Sequence, residues 1–91
     1  MTFSIWMPEP TGRHSPPPAV FYFLSGLTST DENARTKANI MENAAKYNMA
    51  VVFPDTSARG VDIDGQDDDW AFGSGAGFYL SATVEKWKKH Y

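Results

Sequence analysis

The sequence predicts an α/β fold, and three observations predict it. The run Ala19-Val20-Phe21-Tyr22-Phe23-Leu24 is apolar throughout, Ala50-Val51-Val52-Phe53 is a second such run, and the residues between them carry helical spacing. Short continuous apolar runs are the mark of strands covered on both faces, the usual state in an α/β sheet. Strand, helix and strand in succession make a βαβ unit, whose strands should be parallel and whose crossover should be right-handed.

The elements follow in order. Phe3, Ile5 and Met7 fall on one side of an alternating segment and Ser4 and Trp6 on the other, which predicts an outer strand open to solvent on one face. Pro8 ends it, and residues 9–18, rich in proline, form a surface connection that holds His14. The 19–24 strand stops at Ser25-Gly26-Leu27-Thr28, and Ser29-Thr30-Asp31-Glu32 follows as a capping box, Ser29 pairing with Glu32. A single helix is expected over about 30–47. Its apolar stripe is Ala34, Ala38, Met41, Ala45 and Met49, broadened by Ile40, Ala44 and Tyr47, and Asn48 is its stop. The 50–53 strand ends at Pro54. Residues 55–81 are mostly Asp, Gly and small side chains, and connections beyond about 12–15 residues in compact domains usually carry binding or catalysis. Residues 82–91 open a further helix.

With 91 residues, 42% of them hydrophobic, the chain is one small domain or part of a larger one. A net charge of −3 gives no electrostatic footprint for nucleic acid. Without cysteine there is no disulfide framework, thiolate site or cysteine-based zinc site. No apolar run approaches the ~20 residues of a membrane span, and the start lacks the pattern of a signal peptide. The expectation is a soluble, cytoplasmic chain.

Candidate chemistry begins at the Ser25-Gly26-Leu27-Thr28 turn. A strand that turns through glycine into a helix leaves backbone N–H groups unpaired, and ligands of open α/β sheets collect at the carboxyl ends of the strands. The turn therefore has the composition of an oxyanion hole with Leu27 N–H as chief donor, although an ordinary strand-to-helix junction has the same composition. Asp62, Asp64, Asp67, Asp68 and Asp69 crowd one loop but fail the calcium-loop template: Asp67 stands where it needs glycine and Gly73 where it needs glutamate. An acidic surface turn fits better, with one carboxylate capping a turn or pairing with Arg59. The run Gly73-Ser74-Gly75-Ala76-Gly77 lacks the third glycine of a dinucleotide fingerprint, since Phe78 takes its place. It is better suited to bringing backbone close to a ligand or another loop, anchored by Trp70, Phe72, Phe78 and Tyr79. No Gly-x-Ser-x-Gly elbow exists, and His14 and His90, the two histidines, read as solvated surface residues.

Three segments taken together carry a resemblance: Phe23-Leu24-Ser25-Gly26-Leu27-Thr28, then Phe53-Pro54-Asp55-Thr56-Ser57-Ala58-Arg59-Gly60, then Asp69-Trp70-Ala71-Phe72-Gly73-Ser74-Gly75-Ala76-Gly77-Phe78-Tyr79. In this order and spacing they resemble the S-formylglutathione hydrolase (esterase D) family, and the similarity continues through Ala82-Thr83 and Trp87. The resemblance implies an α/β-hydrolase fold, of which residues 1–91 are an N-terminal fragment of a single domain. It also implies a cytosolic, usually dimeric serine enzyme that hydrolyses S-formylglutathione to glutathione and formate in formaldehyde detoxification, with a Ser-His-Asp triad and no metal or other cofactor. Leu27 matches the residue whose N–H forms half of the oxyanion hole. Gly26, Thr28 and Trp70 are the substrate-adjacent candidates.

The family's elbow serine, acid and histidine lie beyond the point matching Tyr91, and its first strand lies before the point matching Met1. The chain thus reads as an internal piece, inactive and marginally stable alone, with exposed sheet edges prone to association. Two other readings stand beside it: a non-catalytic remnant serving as an interaction module, and a short-chain carboxylesterase of the same fold.

Overall fold

A computed structural model describes residues 1–78 and 81–90. Its regular elements are β1 (Phe3–Trp6), β2 (Ala19–Tyr22), α1 (Asp31–Lys37), α2 (Met41–Lys46) and β3 (Met49–Pro54). The strands form one mixed sheet in the order β1-β3-β2. β2 pairs with β3 in parallel, as a βαβ unit requires, with Phe21 opposite Val51; β1 pairs with β3 antiparallel, with Trp6 opposite Val51.

β3 is central because it is paired along both edges, and it supplies the core. Phe53 is 0% and Val51 1% exposed; they pack with Ala34 of α1 and Ala44 of α2 under Trp6, Phe23, Ile40, Met41 and Met49. Residues opposite one another in a ladder share a face, so Ser4, Trp6, Phe21, Val51 and Phe53 all lie toward the helices. The other face carries Phe3, Ile5, Val20 and Tyr22, all exposed. β1 is therefore open on one face as expected, and the open face is its more apolar one.

The expectation that residues 19–24 are covered on both faces fails. All four β2 residues are exposed, Tyr22 at 64%, because β2 is an edge strand and only one face of the sheet meets helices. β2 also stops at Tyr22, although the Phe23 N–H still bonds to the Val52 carbonyl at 2.9 Å.

The single long helix is instead two short ones. Asn39 takes φ +49, a left-handed conformation that asparagine tolerates better than most side chains, and it interrupts the helical ladder. The turn before it is already weakened, since the Thr36 hydroxyl bonds back to the Glu32 carbonyl at 2.7 Å. The break resets the helical phase: Ala44 is buried while Ala45 and Tyr47, both assigned to the apolar stripe, are exposed. Asn48, at φ +50, stops α2 as expected. The N-cap is Thr30 rather than Ser29; the Asn33 side-chain carbonyl accepts from the Thr30 N–H at 2.7 Å and from its hydroxyl at 3.0 Å.

Residues 55–78 form a long irregular connection of turns and bends. The expected helix at 82–91 is a series of turns over 84–90, in which the Lys88 N–H reaches the Val84 carbonyl at 3.1 Å. Tyr79 and Tyr91 lie outside the described residues.

Candidate functional site

The carboxyl ends of the parallel strands β2 and β3 lead into two connections, 23–29 and 55–59, that lie against each other. Gly26 to Ser29 is a tight turn closed by the Ser29 N–H on the Gly26 carbonyl at 3.1 Å. Thr28 sits in it at φ +66. A β-branched residue in that region is strained, and here the strain is held by partners. The Thr28 N–H donates to the Gly75 carbonyl at 2.8 Å, and the Gly75 N–H donates to the Ser57 hydroxyl at 2.7 Å. Thr28 and Ser29 have thus spent their N–H groups; among the described residues, the Leu27 N–H has no acceptor.

The glycine run makes this packing possible. A Cβ on Gly75 would stand 2.8 Å from the Thr28 Cα, and one on Gly77 would stand 2.2 Å from the Thr56 carbonyl oxygen. The run therefore brings backbone against other loops, as its composition predicts. Its aromatic anchors are only partly those expected. Phe72 packs edge-on to Trp87 at 5.3 Å, whereas Trp70 and Phe78 are 74% and 63% exposed.

Asp55 follows directly on β3 and is buried. Burial pushes its carboxyl up, but hydrogen bonds from Arg59 and the Thr56 N–H, with the Arg59 charge, outweigh that and hold it below the usual carboxylate value. The carboxylate gripped by Arg59 is therefore Asp55, not one of the run that begins at Asp62. In that run Asp69 caps a turn through the Ala71 N–H at 2.8 Å, and Asp64 stands 3.7 Å from Lys86.

Between these connections lies a cleft of about 320 Å³, lined by Leu24, Ser25, Gly26, Leu27, Pro54, Asp55, Thr56, Gly77 and Phe78. Gly26 and Leu27 are at the cleft. Thr28 lies behind it on Gly75, and Trp70 is not brought to it. A side chain at Gly26 would meet nothing within 4 Å, so packing alone does not demand glycine there. Neither His14 nor His90 lines the cleft, and the nearby Ser57 and Ser74 hydroxyls are engaged with Gly75 and Gln66. Among the described residues no three acidic or histidine side chains converge on a common metal position. The cleft can offer an unpaired N–H to an oxyanion between largely apolar walls; among the described residues the one titratable side chain lining it is Asp55, whose carboxylate is held by Arg59.

A parallel βαβ unit with a ligand-sized cleft at the carboxyl ends of its strands is the architecture of the α/β class. Comparison with known proteins gives the particular family. The family described as Putative esterase matches residues 1–91, and the chain belongs to it. The chain is 51% identical over 88 residues to an S-formylglutathione hydrolase of Arabidopsis thaliana, covering 97% of this chain and 31% of that one. It is 50% identical to one from Paracoccus denitrificans and 44% identical to one from Mus musculus, each match covering all of this chain and 32% of the relative. A solved structure of the Agrobacterium tumefaciens S-formylglutathione hydrolase superposes with a TM-score of 0.80 at 45% identity, covering 98% of this chain and 31% of that one. The chain thus spans about a third of the length of the relatives it matches.

The residues around Leu27 that sequence reasoning missed are Thr56, Ser57 and Arg59, with Asp55 as their anchor. The available signals were the 53–60 segment quoted for the resemblance, which contains all four, and the spacing of Arg59 four residues after Asp55.

Proposed function

We propose that this chain works as the oxyanion-binding part of an S-formylglutathione hydrolase, a serine thioesterase that releases glutathione and formate in formaldehyde detoxification. The observation that carries it is the Leu27 N–H, unpaired among the described residues, on a turn beside the 320 Å³ cleft, in a chain about half identical to enzymes of that name. A serine attacks the formyl thioester carbonyl, and the carbonyl oxygen gains negative charge that the Leu27 N–H stabilises. Glutathione leaves as the thiol, taking the serine's proton by way of the histidine, and water then releases formate from the formyl-serine. Gly26 leaves the approach to Leu27 clear, while Thr28, behind the cleft, and Trp70, away from it, are not placed to touch a substrate held there. Serine, histidine and acid, as the family resemblance implies, come from residues outside the matched stretch, and the chain alone is inactive. The complete enzyme is a cytoplasmic homodimer.

The test measures thiol release from S-formylglutathione by the purified chain, and by the chain joined to the remainder of the Paracoccus denitrificans relative. No turnover is expected from the chain alone, whereas the joined protein hydrolyses the thioester and Leu27→Pro lowers its rate by about 10²–10³. Turnover by the chain alone, lost in Leu27→Pro, would overturn the inactivity. A folded but inactive joined protein would overturn the enzymatic reading. One observation favours the second reading, a non-catalytic interaction module: the bare face bearing Phe3, Ile5, Val20 and Tyr22.

A further inference from the structure

The turn that carries Leu27 is held at the two residues that follow it. The Thr28 N–H is tied to Gly75, and the Ser29 carbonyl accepts two bonds, from the Thr56 hydroxyl at 2.6 Å and from Arg59 Nη2 at 3.1 Å. Arg59 is gripped in turn. Its Nη2 lies 2.9 Å from Asp55 Oδ1, and its Nε lies 3.2 and 3.3 Å from the two carboxylate oxygens. Asp55 is fixed to the sheet, because it follows Pro54 at the end of β3 and its own N–H reaches the Thr2 carbonyl at 3.1 Å. Its side chain is only 3% exposed and also accepts the Thr56 N–H at 2.7 Å. A continuous run of bonds therefore leads from the central strand to the carbonyl two residues after Leu27.

We infer that Arg59 is a positioning residue, which by spanning the Asp55 carboxylate and the Ser29 carbonyl fixes the Leu27 N–H relative to the carboxyl end of β3. The inference rests on the reading of Leu27 as the oxyanion donor. Arginine suits the task because its planar fork holds a carboxylate and a carbonyl at once, whereas lysine has a single nitrogen to do both. Arg59 is not among the residues lining the cleft, so it acts through Ser29 and not on substrate. The precision matters, since functional groups must be held to within about 0.5 Å and a 1 Å misplacement can cost about 10²-fold in rate. Asp55 is only 3% exposed, so Arg59→Ala leaves a buried carboxylate unpaired, whereas Arg59→Lys keeps a cation beside it and is the variant that leaves a folded chain to measure.

The experiment compares the unsubstituted chain with Arg59→Lys and Arg59→Ala by amide hydrogen exchange and ¹⁵N–¹H spectra. The Thr28 amide is expected to exchange at least about tenfold faster in both variants and the Leu27 and Thr28 resonances to move, while in Arg59→Lys the Val51 and Phe53 amides keep their protection. Thr28 exchange and Leu27 shifts as in the unsubstituted chain would overturn the inference. So would a loss of protection in Arg59→Lys shared equally by Val51 and Phe53, which would make Arg59 a general stabiliser. In the protein joined to the Paracoccus denitrificans remainder, Arg59→Lys should lower kcat by about tenfold or more with KM little changed; an unchanged kcat refutes the positioning role. Inactivity of that protein with Arg59 intact would count against the function, and the exchange result would still judge Arg59.

Discussion

The two faces of the sheet are both made largely of apolar side chains and meet different surroundings. Toward the helices, Val51 and Phe53 are sealed by Ala34, Ala44 and Trp6; on the other side Phe3, Ile5, Val20 and Tyr22 stand in solvent. Apolarity records what a segment is suited to bury against, while exposure records what the chain itself supplies. In α/β proteins helices cover both faces of the sheet, and among the described residues this chain covers one.

The largest effect that would sharpen the contrast is Phe53→Ala. It should cost about 3–5 kcal/mol, enough to abolish a cooperative urea transition in so small a unit. A shift of the urea midpoint no larger than that of a surface variant would break the comparison, because the helix-covered face would then not be the core. Next is Gly75→Ala. Its φ of +80 and the approach of Thr28 predict a loss of about 2–4 kcal/mol, read from the same titration. Asp55 gives a smaller, pH-dependent effect. Its folded pKa lies below the unfolded value, so its contribution is complete above the unfolded carboxylate pKa of about 4 and is lost as pH falls through the lowered folded value. The urea midpoint should therefore fall on acidification below that pH, and Asp55→Asn should remove this component of the fall. Smallest are changes on the bare face: Tyr22→Ser should move the midpoint by no more than about 0.5 kcal/mol equivalent. A loss as large as that of Phe53→Ala would mean that this face is covered in solution.

Much of the fold was legible because it rests on local pattern. The apolar runs at 19–24 and 50–53 located the parallel pair, and the glycines at 73, 75 and 77 announced a close approach that only residues without a Cβ permit. The exposure of β2 was not legible, since a run of apolar residues does not say whether a second layer is present. Nor was the break at Asn39, where helical spacing continues through a residue whose backbone leaves the helix. At the site, Leu27 and Gly26 were marked by the turn and by resemblance, and both line the cleft. The hold on Ser29 was hidden, because Thr56 and Arg59 reach it from 27 and 30 residues away. Such partners are set by tertiary proximity and leave no periodicity.

The strand order β1-β3-β2 has a consequence in time as well as in space. The first two strands never pair with each other; both wait for the last, with Phe3 meeting Pro54 and Ala19 meeting Met49. During synthesis the first two strands emerge before the strand that joins them, so no part of this sheet can form until residues 49–54 have left the ribosome. Assembly is then a late, non-local event, and until it occurs Trp6 and Phe23, which the folded chain packs against Val51 and Phe53, are offered to whatever else is near, which is the interval in which a chaperone has most to protect.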